Sequence, residues 1–189
     1  AVNTVVNNEG MLKGYNTDMD GFLEPIKKRY IQIEGEKILL LGAGGAARAI
    51  VAGMAKEKAG NLDIANRTTL NANNLAEFAT KLGLKTNIKK IEEANNHIEN
   101  YDIIINSTSI GLKNEVSPIS FEEANQKTIV YDIVYAPMNT DFIKKAKERK
   151  LEVIYGYEML LGQATRAFEI WHEMKAPYNA MKKALLGGF

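Results

Sequence analysis

The amino-acid sequence predicts an α/β fold, built on a doubly wound, mostly parallel sheet with helices on both faces. Three observations carry that expectation. From Lys37 onward, short and almost wholly apolar runs alternate with stretches of helical periodicity, the pattern of strands buried on both faces between crossover helices. The first of these runs leads straight into Gly42-Ala43-Gly44-Gly45-Ala46-Ala47 and then into an alanine-rich helix. The chain of 189 residues, 46% hydrophobic and 25% charged, has ordinary globular composition and is long enough for one well-buried domain with a small appendage.

The elements follow in order. Residues 1–6, opening at Ala1, read as a strand, and 11–13 as its hairpin partner across the turn Asn7-Asn8-Glu9-Gly10. On their own these residues bury little, so the hairpin is expected to be mobile or to pair its edge with another chain. After Gly14-Tyr15-Asn16-Thr17-Asp18 comes a helical pattern through Phe22, Leu23, Ile26 and Tyr30, with Pro25 threatening its middle. Strands are then expected over 37–41, 61–65, 85–88, 101–105, 128–134 and 152–155. Helices are expected over 46–56, 70–82, 91–98 and 140–150, and the tail from Met159 to Leu186 is helical with a break near Pro177.

The glycine run has the spacing G-x-G-x-x-A between a strand and a helix. Gly42 permits the tight turn, Gly44 lets a pyrophosphate approach the backbone, and Ala47 lets helix and strand pack closely. The free N–H groups of Gly42, Ala43, Gly44, Gly45 and Ala46, at the positive end of the helix dipole, would hold the anion. This is the Rossmann-like arrangement for a dinucleotide; no G-x-x-x-x-G-K-[ST] is present. Sites for NAD place an acid at the end of the second strand, on the ribose 2′-OH. Here that strand ends in Asn66-Arg67-Thr68, and Asp63 lies too early. Arg67 suits a 2′-phosphate, so the pattern favours NADP, with NAD less expected.

Composition excludes other classes. A net charge of +1 offers no basic field for nucleic acid or anionic membrane. No apolar stretch has the roughly 18–20 residues that a membrane span needs. Cysteine is absent and only His97 and His172 are present, so no metal site is expected and a reducing cytoplasm fits. Among the polar residues, Asp18 reads from position alone as a helix N-cap, and Asp132 as a structural hydrogen-bond acceptor. Gln163 falls inside the apolar stripe of Met159, Leu160, Ala164, Ala167, Phe168 and Trp171; its amide needs partners, from the protein or from a polyhydroxylated ligand. Tyr135 is expected to end the 128–134 strand at the edge where open α/β sheets bind ligands. Ile133 and Gly156 would form a small apolar wall beside a nicotinamide, and Trp171 reads as packing.

Several stretches answer no generic need of such a fold: Ala1-Val2-Asn3-Thr4, Gly14-Tyr15-Asn16-Thr17-Asp18, Asn66-Arg67-Thr68, Asn106-Ser107-Thr108-Ser109-Ile110-Gly111, Asp132-Ile133-Val134-Tyr135 with Pro137 and Thr140, and Gly156-Tyr157-Glu158-Met159-Leu160 with Gln163. In this order they resemble the shikimate dehydrogenases along the whole chain. The resemblance implies an NADP-dependent oxidoreductase interconverting 3-dehydroshikimate and shikimate in aromatic amino-acid biosynthesis. It implies that Asn3, Asp18, Tyr135 and Gln163 contact substrate and that Asp18 is half of a catalytic Lys–Asp pair. The family lysine lies upstream of the Asn-Thr motif, and Lys13 matches nothing, so these residues alone are expected to be inactive. The implied division is 1–30 as the remnant of a substrate domain, 31–158 as the NADP-binding domain, and 159–189 as helices packing back toward the substrate domain. Where many members add a second basic residue after Asn-Arg-Thr, this chain has Asn71, which implies a smaller preference for NADP. A quinate/shikimate-type enzyme and a non-catalytic dinucleotide-binding module stay open as alternatives, as does a homodimer.

Overall fold

A computed structural model describes residues 2–113 and 115–187; Ala1 lies outside the described residues. The chain opens with an antiparallel hairpin of β1 (Thr4–Asn8) and β2 (Met11–Tyr15). Its turn is tighter than the four residues expected. Asn7 and Asn8 stay in the ladder opposite Leu12 and Met11, and Glu9 and Gly10 alone turn the chain, at φ 51° and 92°. Two successive positive φ values match the right-handed twist of the flanking strands. The Asn7 side chain secures the corner by accepting from the Gly10 N–H at 2.9 Å.

Helix α1 (Asp18–Lys28) continues through Pro25. The carbonyl that Pro25 cannot engage is that of Gly21, and Gly21 sits at the closest approach to α6 (Gly156–His172). One face of α1 enters the main core: Phe22 stacks on Tyr131 with ring centroids 5.1 Å apart, and Leu23 and Ile26 are buried beside it.

The main sheet has six parallel strands in the order β5-β4-β3-β6-β7-β8. They are β3 (Lys37–Leu41), β4 (Asn61–Ala65), β5 (Lys85–Lys89), β6 (Ile103–Asn106), β7 (Ile129–Asp132) and β8 (Glu152–Ile154). The uniformly apolar run in β3 has a plain cause. Ile38 and Leu40 face one core with Ile50, Met54 and Ile64, while Leu39 and Leu41 face a second with Ile104, Val130 and Phe142; a strand buried on both sides has no polar face to alternate with. Helices α2 (Gly45–Lys56), α3 (Thr69–Lys81), α4 (Ile91–Asn95) and α5 (Asp141–Glu148) connect the strands, and α7 (Tyr178–Leu186) closes the chain. Between β6 and β7 the chain crosses without an α-helix among the described residues, burying Ile119 and Phe121, and Phe121 meets Phe142 edge-on at 5.1 Å. Strand order reverses between β3 and β6, which fixes the ligand crevice of such a sheet beyond their carboxyl ends.

Several boundaries differ from the sequence expectation. The 128–134 strand stops at Asp132, because the Asp132 carboxylate captures the Val134 N–H at 3.1 Å and turns the chain away from the ladder. Tyr135 therefore lies in the following loop rather than at a strand end. Helix α6 begins at Gly156, three residues before Met159, with Glu158 reaching back to the Tyr155 N–H at 3.1 Å as its cap. The 91–98 helix ends at Asn95 and is followed by a single 3₁₀ turn over Ile98–Asn100. Trp171 is 56% exposed rather than packed inside, and its indole N–H donates to the Val5 carbonyl at 3.0 Å. That bond ties the hairpin to α6. No helix among the described residues is long and apolar enough to cross a membrane.

Candidate functional site

The first residues beyond β3, β4, β6 and β7 run side by side along one edge of the sheet. Gly42 N–H donates to Ala65 O at 2.8 Å, Ser107 N–H to Leu41 O at 2.8 Å, and Ile133 N–H to Asn106 O at 3.0 Å. The glycine loop, the Asn66-Arg67-Thr68 turn and the Ile133–Tyr135 loop thus meet at the switch point.

The glycines of the loop have different reasons. Gly42 has φ 103°, and a Cβ there would stand 2.8 Å from Ser107 Oγ, so both backbone and neighbour demand glycine. Gly44 has an ordinary extended conformation, at φ −89° and ψ −164°, and Gly45 is the first residue of α2. A Cβ at either would meet nothing within 4 Å, and both residues are exposed. Nothing in the protein requires glycine at these two positions. Bare backbone there suits a group approaching from outside. No acidic residue lies in the first turn of α2 and no side chain caps it, so its N–H groups and dipole face an anion unopposed. Ala43 and Ala46 are half-buried beside them, and Ala47 is fully buried against the sheet.

At the end of β4, Asn66 Nδ2 donates to Thr68 O at 2.8 Å, folding the turn so that Thr68 sits at the N-cap of α3. Arg67 projects from this turn, exposed, with no acid paired to it among the described residues. The nearby carboxylate of Asp63, which lies too early in the strand to reach a ribose, is buried and committed elsewhere. It accepts from Tyr101 Oη and Asn87 Nδ2, each at 2.8 Å. A dinucleotide with a 2′-phosphate fits this donor set: backbone N–H groups for the pyrophosphate, and a guanidinium without a competing acid beyond them.

A buried polar knot holds the β6 and β7 ends. Asp132 accepts from Thr140 Oγ1, from Asn106 Nδ2 at 2.9 Å and from Val134 N–H, and Asn106 also donates to Ile110 O and accepts from Thr108. Burial pushes the Asp132 carboxyl up to about 6 against the pull of those three donors. Asp132 is the structural acceptor expected; the roles of Asn106 and Thr140 were not assigned from sequence, although both stand in the quoted motifs. Ile133 is half-buried and Tyr135 exposed on the loop above this knot. Gly156 is buried, and a Cβ there would press to 2.4 Å from Val134 O. Glycine at 156 is thus required by the seat of α6 on the β7 loop.

The hairpin and α1 bring Asn3 to Asp18. Asn3 Nδ2 donates to Asp18 Oδ1 at 2.8 Å, and Asn3 Oδ1 accepts from Thr17 N–H at 2.9 Å. Asp18 is not the N-cap that its position suggested. Thr17 occupies that place without a side-chain cap bond, and Asp18 is the first helical residue. The amide of Asn3, arriving from a different element, takes the carboxylate oxygen that a cap would have used. Gln163 sits half-buried where α6 crosses α1, and among the described residues no partner engages its amide. At the other end of the crossing Arg29 grips Glu158 with two bonds, at 2.8 and 2.9 Å. Its partner is 129 residues away, so no local pattern could have signalled the pair.

Comparison with known proteins agrees with this geometry. A family model described as "Shikimate / quinate 5-dehydrogenase" matches residues 24–148, and one described as "Shikimate 5'-dehydrogenase C-terminal domain" matches residues 156–186. A relative from Nitrosopumilus maritimus, named shikimate dehydrogenase (NADP(+)), is 70% identical over all 189 residues, which span 69% of its length. A solved shikimate 5-dehydrogenase from Thermus thermophilus, in complex with NADP(H) and shikimate, superposes with a TM-score of 0.84 at 34% identity, covering 100% of this chain and 69% of that one. One from Listeria monocytogenes, in complex with shikimate and NAD, gives 0.89 at 33%, covering 98% and 68%. The chain spans about two thirds of the length of these relatives. It belongs to the shikimate / quinate 5-dehydrogenase family of oxidoreductases.

Proposed function

We propose that the chain serves the NADP-dependent, reversible reduction of 3-dehydroshikimate to shikimate. The observation that supports this reading most directly is the bond from Asn3 to Asp18 at the start of α1, about one turn before Gly21 packs against the Gln163 backbone of α6, in a fold whose strand ends carry a dinucleotide cradle. When bound, the nicotinamide supplies a hydride for a ring carbonyl. Ala43, Gly44, Gly45 and Ala46 hold the pyrophosphate. Gly42, expected to share in this, makes the tight turn instead, because its N–H is taken by Ala65 O. Asn66 and Thr68 shape the turn from which Arg67 pairs the 2′-phosphate. Ile133 and Gly156 wall the hydride path against water. Asn3, Asp18, Tyr135 and Gln163 hold the ring hydroxyls, and Asp18, with one oxygen fixed by Asn3, orients the proton carrier with the other. The resemblance gives that carrier as a lysine, which no lysine motif of these 189 residues matches.

The same reading takes 1–30 as the substrate-side segment, 31–158 as the NADP-binding unit, and 159–189 as the helices returning to the substrate side. It takes the cytoplasm as the location, which the cysteine-free composition suits. A homodimer is the oligomer that the exposed Met11 and Leu12 of the hairpin favour, and light scattering tests it.

Steady-state kinetics test the reaction on a protein that also carries the family's lysine-bearing segment, since these 189 residues alone are expected to be inactive. NADP reduction is expected with shikimate, exceeding that with quinate. Asp18→Asn is expected to lower kcat by about 10²–10⁴-fold with NADP affinity unchanged. Turnover of quinate above shikimate, or an Asp18→Asn variant with full kcat, would overturn the assignment.

A further inference from the structure

Helices α1 and α6 lie antiparallel, with Asp20 3.5 Å from Arg166 at one end and Arg29 gripping Glu158 at the other. Between these ties the two backbones touch. A Cβ on Gly21 would stand 2.6 Å from the Gln163 amide nitrogen and 2.7 Å from Met159 O; one on Gly162 would stand 2.9 Å from Gly21 Cα and 3.0 Å from Gly21 O. All of these are backbone atoms, which cannot yield as a side chain does. Neither glycine has a positive φ, so neither is needed for its conformation, and each costs helix stability relative to alanine. What both positions share is the contact.

That contact sits directly beneath the polar groups assigned to the substrate. Asp18 precedes Gly21 by one helical turn, on the same face of α1, and Gln163 follows Gly162. Helices that meet through ordinary side chains stand about 8–10 Å apart, and closing that gap requires residues without side chains. Gly53 of α2, on another side of α1, shows the contrast: a Cβ there would meet only the side chains of Phe22 and Leu23, at 3.2–3.4 Å.

We propose that Gly21 and Gly162 are positioning residues, whose side-chain-free contact sets the separation between Asp18 and Gln163 and so the fit of the polyhydroxylated ring held between them. This rests on the assignment of Asp18 and Gln163 to the substrate. A methyl group at either glycine wedges the helices apart and moves Gln163 away from Asp18, while leaving the glycine loop and Arg67, which neither glycine touches, where they were. Misplacement by about 1 Å can cost about 100-fold in rate.

The test is steady-state kinetics and NADP binding of the same lysine-bearing protein with Gly162→Ala, alone and combined with Gln163→Ala. Expected for Gly162→Ala is a drop in kcat/KM for shikimate of about 10–100-fold, with NADP affinity and cooperative unfolding retained. The double variant is expected to be scarcely worse than Gly162→Ala, because Gln163 has already lost its place. Additive losses, or unchanged kcat/KM in Gly162→Ala, would overturn the proposal. So would loss of NADP binding with loss of cooperative unfolding, since the contact would then hold the fold rather than the spacing. Absence of shikimate turnover in the unsubstituted protein would instead remove the reading on which the proposal rests.

Discussion

Asp132 brings a carboxylate into the buried end of β7, and burial outweighs its three donors to hold its pKa near 6, above the ordinary 3.8. The native state therefore binds a proton that the unfolded chain has released, and linkage gives the sign: this group's contribution falls as pH rises between those values. Asp132→Asn removes the titration. Compared across about pH 4 to 6 by urea denaturation, the unsubstituted protein is expected to lose stability relative to the variant as pH rises, by at most about 3 kcal/mol. A constant difference would mean that the carboxylate keeps its ordinary pKa. Single residues were also where sequence alone was least complete. Asp132 was read rightly as an acceptor, because an acid in an apolar strand must be paired. Position alone pointed to a cap at Asp18, because its actual partner, Asn3, lies 15 residues earlier, just ahead of β1. Arg29 and Glu158 carried no signal until the fold brought them together.

At the scale of elements, the hairpin and α1 show how distant contacts decide what local pattern leaves open. Pro25 looked like a break, yet α1 runs through it, with Phe22, Leu23 and Ile26 around it buried in the main core. The hairpin looked unanchored, yet Trp171 and Asn3 tie it to the helices. Its strands remain exposed at Val5, Met11 and Leu12, so the anchoring rests on few bonds. Trp171→Phe removes the donor to Val5 O and keeps the ring. Limited proteolysis is then expected to cut faster at the Glu9–Gly10 turn, with NADP affinity unchanged. Equal cutting rates would show that the hairpin is held without the indole. The inner strands β3, β6 and β7 were legible because they are buried on both sides and so almost wholly apolar, whereas the edge strand β5 is largely exposed. Their ends were less so: β7 is stopped by a side-chain bond of Asp132 that no periodicity records.

Across the whole molecule, strand order does what no single motif can. The reversal between β3 and β6 brings Gly42, Asn66, Ile133 and Gly156 to one edge, although they are spread over more than half of the chain. Alternation of strands and helices foretold the parallel sheet, and the glycine spacing foretold the edge at which an anion would sit. Neither foretold that α1 would share the core of the nucleotide-binding sheet through Phe22 and Tyr131, so that substrate-side and cofactor-side residues stand on one packed body. The two open glycines and the unpaired guanidinium make the cofactor the claim on which the rest depends. Calorimetric titration of this chain with NADP and with NAD, unsubstituted and as Arg67→Ala, tests it most directly. NADP is expected to bind more tightly than NAD, and Arg67→Ala to weaken NADP by about 10–100-fold while leaving NAD unchanged. Equal affinities for the two dinucleotides, indifferent to Arg67, would contradict the account.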